Sequence, residues 1–415
     1  MKKFDLLVGP VGALATCSSG SPRRGGEMRE LPLIAGGAVG INDGKISFAG
    51  KWEDVSDAQA KERIDASSQT VLPGFVDAHT HIPFIGDRSH ELIMRFEGKT
   101  YMEIGQAGGG ILSTMRNVRV TSEDDLLKSA RKSAARVLRH GVTTFEGKSG
   151  YGLDMDNELK QLRVLRALGE EGPQNVVPTC MSAHFVPPEF KSKREKFIEL
   201  ITGEILPAAA RDGLAAFVDV FCEKGAFTID ESREILSRGK DLGLKTKIHA
   251  DEIEDCGGAL LAAELSCHSA EHLLRAGDEG IEMMAERNVV ATLLPATAFF
   301  LRKPFAPARK FIEKGCTVAV ASDLNPGSSF TFNMLEVLTL AVFGMGLFPE
   351  EAIWAATLNA AYALGLEKEC GSVEVGKHAD LTVWDIPDPL HLFYPFGEDP
   401  LRTVICSGTV AWSRA

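Results

Sequence analysis

The sequence predicts an α/β protein: a TIM-like (β/α)8 barrel with a small β-sandwich domain built from both chain ends. Three observations lead there. Between residues 73 and 370, eight short apolar runs alternate with helix-like stretches, the rhythm of parallel strands joined by crossover helices. On either side, over 1–72 and 371–415, the pattern is one of short strands and turns. The chain has 415 residues, of which 44% are hydrophobic and 25% charged, enough apolar material for a large barrel and an appended domain.

In chain order, residues 4–8 read as a first strand. Residues 38–41 and 45–49 flank an Asn42-Asp43-Gly44 turn, a strong hairpin signal. Residues 18–30, rich in Ser, Gly, Pro and Arg, read as an exposed loop between those strands. The eight barrel runs are 74–77, 142–145, 176–180, 217–221, 246–249, 266–270, 289–293 and 318–321. Residues 381–384 and 404–406 then return to the β-domain.

Charge and cysteine usage narrow the function classes. Forty-five basic against 57 acidic residues leave a formal charge of −12, which repels phosphate backbones and anionic lipid surfaces. Nucleic acid and membrane are therefore not expected partners, and a small anionic substrate needs a local cation to recruit it. The eight cysteines, at 17, 180, 222, 256, 267, 316, 370 and 406, form no Cys-x-x-Cys pair, which fits a reduced, cytoplasmic setting. No uncharged run reaches the roughly 18 residues of a membrane span. Lys2 and Lys3 imitate a leader, but Asp5 and Gly9-Pro10 interrupt the apolar stretch that follows.

In a parallel barrel the chemistry lies at the C-terminal ends of the strands, so the polar residue closing each run is the informative one. The first run leads into His79-Thr80-His81. Alternation along an extended chain points both imidazoles to one side, either as a metal-binding pair or as two hydrogen-bonded histidines. The fifth run ends at His249, the sixth leads into Glu271-His272, and the eighth is followed by Asp323. His79, His81, His249 and Asp323 would form a three-nitrogen, one-oxygen shell with room for water, suited to zinc or iron. His268 sits inside the sixth run and reads as core or as support for the ligands.

The set His79-Thr80-His81, His249, His272 and Asp323, preceded by residues 72–77 (LPGFVD) and followed by 376–381 (GKHADL), resembles the amidohydrolase superfamily across nearly the whole chain. Arg88, Tyr101-Met102-Glu103-Ile104, Gly108-Gly109-Gly110-Ile111, residues 148–153 (KSGYGL), Ala183-His184 and His249-Ala250-Asp251-Glu252 resemble its imidazolonepropionase family. The resemblance implies hydrolysis of the ring amide of 4-imidazolone-5-propanoate to N-formimidoyl-L-glutamate in histidine degradation. It implies one divalent or trivalent metal ion, zinc or iron, and a homodimer. His272 would steer water and polarise the carbonyl, Asp323 would carry a proton to the leaving nitrogen, and His184 would help hold the oxyanion.

Glu252, three positions after His249, is a solvated charge on its own terms and a partner for a ring N–H by the resemblance. Arg88 likewise becomes the cation for the propanoate tail. Tyr151, Tyr101, Asn325, Gly327 and Ser328 complete the substrate set, the Asn-Pro-Gly-Ser turn offering an amide and open backbone N–H groups. The glycines at 108–110 read as a flexible loop near the mouth, since no strand precedes them as a dinucleotide loop requires. One metal is expected, although Lys224 after the fourth run stands near where two-metal members carry a modified lysine. Two other readings compete: a deaminase of a cytosine or purine ring, which the same ligands would serve but which needs no arginine for a tail, and a non-catalytic scaffold, which predicts missing ligands.

Overall fold

In the computed structural model, which describes residues 2–99, 103–104 and 108–414, the chain forms two sheets. The first is built from both chain ends. Its early strands are β1 (Lys3–Ala15), β2 (Leu33–Asn42), β3 (Lys45–Lys51) and β4 (Gln59–Pro73). The barrel strands follow: β5 (Phe75–Asp77), β6 (Val142–Lys148), β7 (Asn175–Ala183), β8 (Phe217–Cys222), β9 (Lys245–Ala250), β10 (Ser269–His272), β11 (Val290–Leu293) and β12 (Val318–Val320). The last strands, β13 (Leu381–Trp384), β14 (Leu401–Cys406) and β15 (Thr409–Ser413), rejoin the first sheet.

That sheet has the order β15-β14-β13-β4-β1-β2-β3 and is mixed, because β1 pairs parallel with β4 and antiparallel with β2. Alternation along β1 sends Leu6 and Val8 into one buried cluster and Leu7 into another. The Asn42-Asp43-Gly44 hairpin forms as its sequence requires, with Asp43 and Gly44 both at positive φ. β4, fifteen residues long, escaped the sequence reading because its first half, Gln59–Asp65, is largely polar and exposed.

Residues 18–30 depart from an exposed loop. Met28 is fully buried, the Arg23 N–H donates to Asn359, and the Trp354 indole donates to the Glu30 carbonyl, so the segment is docked against the barrel's last helices. It is a covering strap rather than a tether.

The second sheet runs β5 to β12 in sequential order, all parallel. Its runs are buried on both sides, which is why they read as continuous apolar stretches. The ends meet through Thr80 and Leu324, and the Asp77 carboxylate accepts from the Ser322 N–H at 2.9 Å and the Ser322 hydroxyl at 2.5 Å. This closure brings the chain after β5 beside the chain after β12. His268 lies just before β10 rather than inside a strand, edge-on to Phe217 at 5.5 Å, and so at the opposite end of the strand from the chemistry.

Candidate active site

Four donor atoms meet where the barrel closes. His79 and His81 arrive after β5, His249 near the end of β9 and Asp323 after β12; all four are buried. Nε2 of His81 lies 3.3 Å from Nε2 of His79, 3.4 Å from Nε2 of His249 and 3.3 Å from Oδ1 of Asp323, which is 3.4 Å from Nε2 of His79. Tetrahedral ligands about 2.0–2.1 Å from one ion stand about 3.3–3.4 Å apart, so these separations fit a shared metal. Oδ1 of Asp323 is a buried acceptor with no donor among the described residues, while its Oδ2 accepts from Thr297 at 2.5 Å. A buried acceptor left bare needs a partner, and a cation fits it.

The far side of the imidazoles is held by carboxylates. Nδ1 of His79 contacts Glu271, and Nδ1 of His249 lies 3.0 Å from Asp219. Such partners fix the proton on Nδ1 and leave Nε2 as the donor atom. Below them Lys148 Nζ lies 2.6 Å from Asp219, 2.7 Å from Glu146 and 3.1 Å from Glu271. Lys247 Nζ lies 2.9 Å from Glu146, 2.7 Å from Glu271 and 2.8 Å from the Ala78 carbonyl. Burial disfavours charge on Lys148, but the three carboxylates outweigh it and push the ammonium above its ordinary value. Burial likewise opposes charge on Asp323, yet His79 and His81 keep its carboxyl well below the usual range. Burial takes His249 down to about 3 despite Asp219, whereas at His79 burial, the largest single influence, is overcome by Glu271 and Asp323 together, which raise it to about 9.

The remaining side chains form the rim. His272 ends β10 at φ 71, and Asp323 has φ 51, two non-glycine residues in left-handed backbone at the site. The His272 ring stands 5.1 Å from that of His249, with Nδ1 3.9 Å from Glu252. Burial raises the Glu252 carboxyl. His184 stacks on His81 at 5.1 Å and lies 5.4 Å from the Tyr151 ring; burial, then His81 and His249, hold it well below its ordinary value and so neutral.

Arg88 is brought to the same rim, its Nε and Nη2 on Glu91 at 2.7 and 2.9 Å. A Cβ on Gly327 would meet Arg88 Nη1 at 2.2 Å, so the arginine lies against the turn after Asp323. That turn is not open as its sequence suggested. Asn325 Oδ1 accepts from the N–H groups of Gly327 and Ser328, and its amide nitrogen donates to the Asp323 carbonyl and the Ser328 hydroxyl. The asparagine therefore shapes the turn, and these N–H groups are already spent. Gly110 is likewise anchored, donating to Glu91 at 2.7 Å. Tyr101 and Met102 lie outside the described residues.

Lys224 does not enter the barrel: its side chain is 71% exposed and pairs with Glu254 at 2.8 Å. The lysines that matter to the centre are Lys148 and Lys247. With Glu146, Asp219 and Glu271 they form an inner layer absent from the sequence-based ligand set. The available signal was spacing, since Glu146 and Lys148, like Lys247 and His249, are two apart on a strand and face the same way.

The amidohydrolase family profile matches residues 70–411. The chain is 47% identical over 414 residues to an imidazolonepropionase of Symbiobacterium thermophilum, covering 98% of this chain and 97% of that one. It is 44% identical over 418 residues to that of Clostridium tetani, covering 100% of each. Among solved structures, a zinc-bound adenosine deaminase from Xanthomonas campestris superposes with a TM-score of 0.75 over 99% of this chain and 93% of that one. At 19% identity that likeness concerns the fold alone.

Proposed function

Because the chain belongs to the amidohydrolase family and, within it, to the imidazolonepropionases, we propose that it hydrolyses the ring amide C–N bond of 4-imidazolone-5-propanoate. One water is consumed and N-formimidoyl-L-glutamate is formed, a step of histidine degradation. The observation that carries the reading is the convergence of three imidazole Nε2 atoms and one bare carboxylate oxygen within 3.3–3.4 Å contacts, beside an arginine.

His79, His81, His249 and Asp323 would hold one metal ion, zinc or iron. When bound, such an ion polarises a carbonyl and lowers the pKa of water towards about 7. The chain's own residues supply the rest. Arg88 takes the propanoate carboxylate, and Glu252 accepts from a ring N–H. His272 directs the attacking water at the ring carbonyl and donates to the tetrahedral oxyanion, while neutral His184, whose Nδ1–H donates to the Gly150 carbonyl at 3.1 Å, presents its Nε2 to the pocket as an acceptor. Asp323 receives the water's proton and delivers it to the ring nitrogen as the C–N bond breaks. Tyr151, its ring against His184, lines the pocket with the 325–328 turn, where Asn325 sets the course of the backbone and Gly327 and Ser328 form its wall.

The protein acts in the cytoplasm as a homodimer, on a small anionic substrate and without nucleic acid or membrane. Eight cysteines, all unpaired, support a reducing compartment. Among the described residues no helix is long and apolar enough to cross a membrane. Light scattering on the purified protein checks the dimer.

The activity test follows the ultraviolet absorbance of freshly generated 4-imidazolone-5-propanoate with metal-loaded protein, chelated protein and Asp323→Ala. Loss of the signal is expected only in the first. Bound metal with an unchanged signal would overturn the substrate, and a panel of cytosine and purine rings would then test deamination.

A further inference from the structure

Glu91 is a buried carboxylate on a short helix, His90–Phe96, that otherwise turns apolar side chains outward: Ile93 is 63% and Phe96 67% exposed, whereas the Glu91 side chain is 1% exposed. Burying a charge while leaving apolar groups in water inverts ordinary burial. Its two oxygens accept from Arg88 Nε at 2.7 Å and Nη2 at 2.9 Å, from Arg95 Nη2 at 3.1 Å and from the Gly110 N–H at 2.7 Å.

Two consequences follow for Arg88. A guanidinium has a side edge, formed by Nε and one Nη, and a terminal edge formed by both Nη groups. Glu91 fills the side edge, so Arg88 offers the terminal edge, with Nη1 against Gly327. The backbone makes room at each contact: a Cβ on Gly109 would stand 2.8 Å from Glu91 Oε1, and one on Gly327 would stand 2.2 Å from Arg88 Nη1. Two arginines on one carboxylate also leave a net positive charge, a local attractor for an anion on a chain of net charge −12.

We propose that Glu91 is the positioning residue of the substrate-carboxylate pocket, turning Arg88 so that its terminal edge meets the anion and tying that orientation to the 108–110 segment. This rests on the substrate reading above. Glu91 acts through Arg88 and touches neither the metal ligands nor the reacting bond.

The test is steady-state kinetics of metal-loaded wild type, Glu91→Gln and Gly109→Ala on 4-imidazolone-5-propanoate and on 5-methyl-4-imidazolone, which lacks the carboxylate. Both variants are expected to raise KM for the acid about tenfold or more, to keep kcat within about threefold, and to leave kcat/KM on the tailless ring unchanged. Metal content should match wild type. Equal losses on both rings, or no change in KM for the acid, would overturn the proposal. If wild type turns over neither ring, the substrate reading fails separately. Calorimetry with glutarate then decides Glu91: weaker binding by Glu91→Gln supports it and equal affinity overturns it. Should Glu91→Gln not fold, Gly109→Ala, whose Cβ would stand 2.8 Å from Glu91 Oε1, displaces the carboxylate and carries the same outcomes.

Discussion

The two ends of the site are built by different means. At the metal end the donors and their supports sit on or directly after barrel strands, and the orienting carboxylates Asp219 and Glu271 are themselves held by Lys148 and Lys247 within strands β6 and β9. At the other end, which we propose receives the substrate's tail, the groups sit on loops and a short helix. Arg88 is held by Glu91, the Tyr151 segment by Glu158, and the 325–328 turn by Asn325. Glu158 accepts from the N–H groups of Gly150, Gly152 and Leu153 and from the Ser182 hydroxyl. Both ends thus use buried carboxylates as jigs. The metal end balances them with ammonium charge on rigid strands, the tail end largely with backbone amides and a rim arginine pair. Damage at the first should abolish chemistry or folding, and damage at the second should change how tightly substrate is held.

The largest effect expected is at Asp323. Asp323→Ala removes the bare oxygen among the imidazoles, and kcat should fall about 10³-fold or more, with metal content reduced. Turnover retained by this variant would break the contrast at its strongest point. Next is Lys148→Met, which leaves Asp219, Glu146 and Glu271 with Lys247 as their remaining ammonium. Breaking a buried ion cluster from one side costs about 3–5 kcal/mol, read as a lower denaturation midpoint. Lys224→Met, on the surface, serves as the control and should stay within about 0.5 kcal/mol of wild type. Equal midpoints for the two variants would show that the inner layer does not support the barrel.

Asp219→Asn probes orientation with little change of shape. The Nδ1 proton of His249 loses its carboxylate acceptor, and metal affinity should fall about 10–100-fold, measured by competition with a chromophoric chelator. Unchanged affinity would mean that the strand alone sets the ring.

This contrast also explains what could be read from the sequence. The eight runs were legible because strands buried on both faces have no polar side to disguise them, and His79, His81, His249 and Asp323 were legible because they close such runs. The inner layer was not, because Glu146, Lys148, Asp219 and Lys247 look like ordinary charges at or near run ends until the barrel turns them inward. Glu91 gave no signal, since a glutamate three residues after one arginine and four before another reads as a surface network. The Asn325 turn was recognised as a turn, but which of its N–H groups remained free depended on its side-chain rotamer, which no residue pattern specifies.

The smallest effect expected lies at the tail end, in Tyr151→Phe. The Tyr151 ring is 3% exposed and packs 5.4 Å from His184 and 6.0 Å from His81, and its backbone N–H donates to Gln161. Those contacts survive loss of the hydroxyl, so the loop should keep its course and the metal end should be undisturbed. What goes is the hydroxyl's hydrogen bonding, about 0.5–1.5 kcal/mol, or a few-fold in kcat/KM. If the jig model is right, the loss falls on KM with kcat and metal content unchanged. A fall in kcat equal to that in kcat/KM would instead place the phenol on the reacting centre, and the boundary between the two ends would move inward past His184.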